Sequence, residues 1–405
     1  MAKPKLCLIP ATQGSKLYSV LPADGVGDFN FSRNTGATRI NKDGLIETVA
    51  VGKSRLNYPL IDGVVNGCPS HLLEPERLQK IQYSEDFSQS AFYDLSNDVT
   101  IETSSIISPK GIIGVQELRE NSDNDDHLIK SVNTFTETDS SFSIFAKYKG
   151  NNRNIKLSLG TGQYASFDLQ NGTYFDVQTS TVAKIKEYPN GWYRCSINGG
   201  ISSSKLNIIL LNGTTETYLG DGTSGIYIWG AQFESGSYPT SYIPNYGTSA
   251  GITRVAETAN GAGDASTFND SEGVLMAEIS ALADDFTSRA ISISDGGNSD
   301  YIQIRYYNTS NKLRFLIKSG SSVNFDYSII ISDILQFNKV VLKYDDTNVY
   351  LWINGYEVFT YSPIIPPIGL SELAFDDGNG GNDFYGNTKQ IQYFDSALND
   401  SDLET

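Results

Sequence analysis

Cysteine, histidine and methionine are scarce, at three, two and two among 405 residues. Cys7, Cys68 and Cys195 are odd in number and lack metal-ligand spacing, which excludes a closed disulfide framework and a cysteine zinc site. His71 and His127 alone leave the commonest acid–base and zinc chemistries without their usual residue. No stretch approaches the ~18–20 apolar residues of a membrane helix. The opening MAKPKLCLIPATQG carries basic residues, but its apolar run is too short for a secretory core. A soluble chain made in a cytoplasm, with no membrane span, is the expectation. Basic charge is also short, 30 Lys and Arg against 47 Asp and Glu, a net charge of −17. That balance argues against nucleic acid, which needs a basic footprint.

What is abundant points to strands and turns. Tyr (24), Phe (19) and Gly (37), with many Ser, Thr, Asn and Asp, favour sheet over helix. The expected fold class is all-β, in two to four domains by length. Natural breaks divide the chain into residues 1–75, 76–250 and 251–405, with net charges of +2, −6 and −13. A near-neutral first segment suits docking, and an acidic outer part suits solubility. Alternatively, acidic loops merely solvate a β surface or carry calcium.

Residues 1–75 contain short apolar runs, KLCLIP, FNFSR, GLIETVAV and YPLI, broken by turn residues. Such pieces make a marginal core on their own, so docking or oligomerisation is expected to supply the missing burial. Residues 29–87 resemble a module of bacteriophage head-spike, head-fibre and tail-fibre proteins. The matching positions are Phe31, Arg33, Thr35, Ala37, Thr38, Gly44, Arg55, Tyr58, Leu72, Leu73, Glu74 and Pro75. The resemblance implies a virion-surface protein and an N-terminal attachment segment, the base of a spike, that meets other virion structural proteins. Ion pairing within the chain is the expected role of Arg33, Arg55 and Glu74.

Residues 82–246 run through alternating strands, among them SFSIFAKYK, GWYRCSI, KLNIILL and GIYIWGAQFE. Their spacing fits a sandwich or jelly roll. With YSEDFSQSAFY at the start and GDGTSGIYIWGAQFESGSYPTSYIPNYG at the end, the region is similar to a carbohydrate-binding jelly-roll module. That resemblance implies a structural calcium, by position at Ser84, Glu85, Asp86 and Glu234; otherwise Glu234 pairs with a cation or faces water. In GWYRCSI, Trp192, Arg194 and Ser196 share one face, and Tyr193, Cys195 and Ile197 share the core face. Trp192 is thereby a candidate for exposure and sugar stacking, or a cap on the turn before it. In GIYIWGAQFE, Tyr227, Trp229 and Phe233 are expected opposite Ile226 and Ile228, with Trp229 in the core.

Residues 268–400 again alternate, with Asn354-Gly355 as a hairpin signal. FNKVVLKYDDTNVYLWINGYEV and the ending with Phe384, Tyr385, Gly386, Ile391, Phe394, Leu398, Asn399, Asp400 and Asp402 resemble the concanavalin A-like, laminin-G-type lectin sandwich. Glycosidases on that fold place paired carboxylates on one strand to flank a glycosidic bond. Here Glu278, Asp295 and Glu357 stand alone, so no enzyme activity is expected. Tyr350 and Trp352 lie opposite the aliphatic Val349, Leu351 and Ile353. They form a sugar platform or are covered by a loop or subunit. The loop 376–383, with Asp376, Asp377 and Asp383, binds calcium or is a solvated turn; it lacks EF-hand spacing.

The resemblances together imply a non-catalytic homotrimeric spike or fibre on the virion surface that binds host cell-surface glycan. The alternatives are a glycan-depolymerising virion enzyme and a purely structural capsid decoration protein.

Overall fold

Alternation along the sequence becomes strand pairing in the computed structural model, which describes residues 3–160 and 162–404. The molecule is all-β. Its one α-helix among the described residues is the single turn Asp400–Leu403. The middle region is a sandwich of two antiparallel sheets. One, of six strands, runs in the order Val99–Ile107, Ile113–Glu120, Gly225–Ser235, Phe135–Lys147, Trp192–Ser204, Val182–Tyr188. The other, of seven strands, centres on Asn124–Ser131, Leu206–Asn212 and Arg153–Leu159. Their inner faces enclose a core in which Ile144, Leu157, Phe167, Cys195, Ile197, Ile226 and Phe233 are buried.

Phe233 corrects the sequence expectation. It lies inside with Ile226 and Ile228, while Trp229 and Tyr227 lie on the outer face of the same sheet. The register slips by one residue between the pairs Ser143–Gln232 and Phe145–Trp229. Gly230 sits in that slip at φ +65°. A bulge reverses which side each later residue faces, and glycine tolerates the left-handed backbone it requires.

The C-terminal sandwich has a five-stranded sheet, Ser322–Ile330, Lys312–Ser319, Tyr301–Tyr306, Arg289–Ser294 and Glu372–Ala374. Against it lies an eight-stranded sheet built on Gly273–Ala281, Asn338–Tyr344, Val349–Ile353, Tyr356–Tyr361 and Gly386–Phe394. Asn354 and Gly355, both at positive φ, close the expected hairpin.

Three strands of that eight-stranded sheet come from the first 75 residues. Leu6–Leu8 pairs with one half of Gly386–Phe394, Ser70–Leu73 pairs with the other half, and Leu56–Asn57 adds outside it. Phe29–Ser32 pairs with Thr258–Asn260. Leu6, Leu8, Leu17, Phe29, Phe31 and Leu73 are buried in the same core as Ile293, Leu342 and Tyr393. The N-terminal segment is therefore built into the C-terminal sheet and core. The apolar side chains that 75 residues cannot bury alone find their partners some 300 residues later in the same chain.

An N-terminal hairpin, Ala37–Ile40 with Ile46–Val49, lies on the outer face of the middle sandwich. A buried ion network locks it there. Arg33 donates to Glu257 (2.6 Å), Arg55 reaches Glu257 and Glu74 (2.7 Å to the latter), and Arg254 pairs with Glu74 (2.8 Å). These five side chains are at most 4% exposed. Arg33, Arg55 and Glu74 thus pair within the chain, as expected, and Arg254 and Glu257 complete the set.

Candidate functional site

The hairpin does not cover the whole outer face of the six-stranded sheet. Beside it remains a cleft of about 300 Å³ where all three parts of the chain meet. One wall is the sheet itself. Lys184 and Lys186 project from Val182–Tyr188, whose alternation sends Ala183 into the sandwich. They stand beside Ser196 and Arg194, their cross-strand partners in the register. The opposite wall is Thr38, Arg39 and Ile40 of the hairpin, with Asn57 and Glu74. The segment Tyr238–Tyr242 forms a third side, and Leu282 and Asn387 close the end nearest the C-terminal sandwich.

The chemistry of the cleft is polar and basic. Four basic side chains line it against one carboxylate, Glu74. Arg39 is paired with Glu47. Arg194 is 8% exposed and rests over the Phe145 ring, at 5.4 Å. Its Nη1 donates to the Thr240 carbonyl (2.8 Å), and its Nε and Nη2 donate to Ser143 Oγ (3.3 and 3.0 Å). Among the described residues no carboxylate pairs with Arg194, Lys184 or Lys186. Burial pushes the Glu74 carboxyl up, but Arg254, Arg55 and donors on Ser241 outweigh it and hold it at about 2. The cleft therefore offers hydrogen-bond donors and positive charge, and its one acid is fixed in the ionised form.

The residues singled out from the sequence lie elsewhere. Trp192 shares the face of Arg194, as the alternation requires, but it is fully buried. Ile40 and Ile46 of the hairpin pack over it, and its Nε1 donates to the Ile107 carbonyl (2.9 Å). The expected exposure fails because the covering hairpin belongs to a segment 150 residues away in sequence. Trp352 does lie opposite the aliphatic core of its strand, yet it is only 4% exposed. Leu403 of the turn Asp400–Leu403 and Leu398 just before it pack with it, alongside Val274, Met276 and Val341 of the same sheet. Tyr350 is half-buried, with Lys343 Nζ 4.6 Å from its ring centre. The expected open Tyr350–Trp352 platform is thus a covered pair, and Trp192 lies on the other sandwich.

The calcium ligands do not gather. Glu234 is fully buried and accepts from Gln232 (3.0 Å), the Thr240 amide (2.6 Å) and the Thr240 hydroxyl (2.8 Å). Ser84 Oγ accepts from Gln79 and from the Asn245 amide. Glu85 accepts from Tyr242 and Tyr246, and Asp86 from Ser88, Gln89 and Gln116. Each carboxylate is satisfied by protein donors of its own. In the loop 376–383, Asp377 binds the Gly381 amide and Asn382, Asp376 binds the Gly378 amide, and Asp383 binds Tyr385. Burial, and then neighbouring acids, raise the carboxyls of Asp376 and Asp383. No group of three or more His, Cys, Asp or Glu among the described residues is arranged to hold a metal.

Sequence reasoning placed Arg194 on the correct face but passed over Lys184 and Lys186. The signal was present: VAKIKEY puts two lysines on one face of a strand whose other face carries Ala183 and Ile185.

No protein-family model matches the sequence, and no curated protein matches it. Solved structures share parts of the fold. The CBM40 of the Ruminococcus gnavus IT-sialidase is 16% identical over 36% of this chain and 85% of its own, with a TM-score of 0.30. Domain 4 of AbnA, a GH43 extracellular arabinanase of Geobacillus stearothermophilus solved with arabinotriose, is 13% identical over 37% and 71%, also at 0.30. Domains LG4-5 of the mouse laminin alpha1 chain are 10% identical over 80% and 95%, at 0.24.

Proposed function

We propose that the chain is a non-catalytic glycan-binding protein of a bacteriophage virion surface, a spike or fibre that holds host cell-surface glycan in the three-part cleft. The observation that carries this reading is the cleft itself. It is concave, mostly pre-formed by strands, and lined by hydroxyls, amides and cationic donors suited to sugar hydroxyl groups. Its single carboxylate supports binding over cleavage. Glycoside hydrolysis takes two carboxyl groups across one bond, one of them protonated. Glu74 is alone there and held ionised.

The virion location rests on the spike-module resemblance of residues 29–87. Exposed apolar side chains on the N-terminal segment, among them Val20, Val51, Ile61 and Val64, are available for contact with other virion proteins. A glycan array with the intact protein is expected to show selective binding, and incubation with the bound polysaccharide is expected to release no new reducing ends. Release of reducing ends would make the protein a depolymerase. An array without any signal would leave a structural decoration protein.

A further inference from the structure

The cleft's charge is opposite to the molecule's. A chain of net charge −17 gathers four basic side chains and one acid around the cleft where its three parts meet. Two of the four, Lys184 and Lys186, are exposed, and neither has a carboxylate partner among the described residues. Arg194 is the most telling. A guanidinium taken out of water ordinarily acquires a counter-ion, because burial of an uncompensated charge is costly. In this protein Arg33, Arg55, Arg153 and Arg289, all comparably buried, each have a carboxylate within 2.7 Å. Among the described residues Arg194 has only neutral acceptors, Thr240 and Ser143.

We infer that the cleft recognises an acidic saccharide, a sugar carrying a carboxylate, with Arg194 as the anchor of that group and Lys184 and Lys186 as its flanking charges. Three of the five guanidinium N–H donors of Arg194 are used within the protein. Two remain, and a planar carboxylate offers two oxygens to match. The three internal bonds fix the guanidinium plane before any ligand arrives, so little side-chain freedom is lost on binding. Lys186 stands directly across the register from Arg194, and Lys184 across from Ser196, which places both ammonium groups along the same side of the cleft. The surrounding acidity repels anionic glycan at long range, so this local reversal of sign selects where such a glycan settles.

This inference rests on the glycan-binding reading of the same cleft, and the two fail differently. The probes are galacturonate trisaccharide and N-acetylneuraminic acid, the methyl ester of each, and glycerol phosphate, titrated calorimetrically against the full chain at low and high salt. At least one sugar acid is expected to bind about tenfold or more tightly than its ester, the loss of one charge-assisted contact, and to weaken as salt rises. Replacing the exposed pair, Lys184→Ser with Lys186→Ser, is expected to weaken the acid severalfold and leave the melting temperature unchanged. Arg194→Lys keeps a charge but removes the fork, and is expected to abolish the preference for acid over ester. If that variant does not fold, the lysine pair and the ester comparison decide. Equal binding of acid and ester, indifferent to the lysines, overturns this inference and leaves the glycan reading standing. Binding of glycerol phosphate but neither sugar acid also overturns it. No binding of any saccharide overturns both.

Discussion

At the residue scale the most consequential side chains are buried charges. Glu257 alone neutralises two arginines: it accepts from Arg33 and Arg55 and also from the Glu74 amide. Removing one partner of a buried pair leaves the other uncompensated, at about 3–5 kcal/mol. Glu257→Gln is therefore expected to lower stability by that order, read as a shift of the urea midpoint. His71 sits beside the same network, fully buried, and among the described residues neither ring nitrogen has a hydrogen-bond partner. Burial first, then Arg55 and Arg33, lower its pKa from 6.5 to about 3. A depressed pKa means that the unfolded chain takes up the proton first as pH falls. Stability is full above pH 6.5 and is lost as pH drops toward about 3. Glu74, held at about 2 against 4.5, extends the same loss to lower pH. His71→Leu is expected to flatten the stability–pH slope between pH 6 and pH 5 by up to about 1.4 kcal/mol per pH unit, one proton's worth. An unchanged slope in denaturation series across that range would place the acid sensitivity elsewhere.

At the element scale, single positions decide which face of a strand does what. Gly230 makes the bulge that turns Phe233 inward. A Cβ there would meet Phe145 at 3.0 Å and Tyr242 at 3.2 Å, on a backbone at φ +65°. Gly230→Ala is expected to cost about 1–3 kcal/mol, measured by thermal unfolding. The last turn, Asp400–Leu403, acts as a lid on Trp352, with Lys343 holding Asp400 at 2.9 Å. Trp352→Ala is expected to destabilise by about 3–5 kcal/mol as a core truncation; glycan binding with wild-type stability would instead mark it as surface. Much at this scale was legible beforehand. The strands, the Asn354–Gly355 hairpin and the core faces of Cys195 and Leu351 follow from alternation and turn chemistry; Trp229 is buried as expected, but on the outer face, within the cluster that includes Ile40 and Ile46. Phe233 was not legible, because one extra residue in a strand resets the parity and nothing in YIWGAQFE except the glycine signals it. Trp192 and Trp352 were not, because alternation says which face a side chain takes and not what covers that face. The cleft was half legible: its lysines and Arg194 lie on readable strand faces, but its other walls arrive from distant parts of the chain.

At the scale of the whole molecule, the N-terminal segment is the organising question. A segment too thin to fold alone had two ways to find burial: other copies of the chain, or this one. It finds it within this chain, as edge strands of the C-terminal sheet and as a hairpin on the middle sandwich, so marginal burial no longer argues for a trimer. The two sandwiches then differ in what they owe to it. The inner core of the middle one, from Ile81 to Phe233 among the described residues, is drawn entirely from the middle region, whereas the C-terminal core includes Leu6, Leu8, Leu17, Phe29, Phe31 and Leu73. A chain beginning at residue 76 would leave Gly386–Phe394 as a bare edge and strand Glu257 and Arg254 as unpaired charges. Hydrogen exchange on that truncation is expected to find the strands of 113–233 still protected and those of 273–394 exchanging rapidly, and its melting is expected to be broader than that of the intact protein measured alongside it. Full protection of both sandwiches would mean that the N-terminal segment is an addition to a fold already complete. Its strands would then be present for the cleft wall they build, and not for what they stabilise.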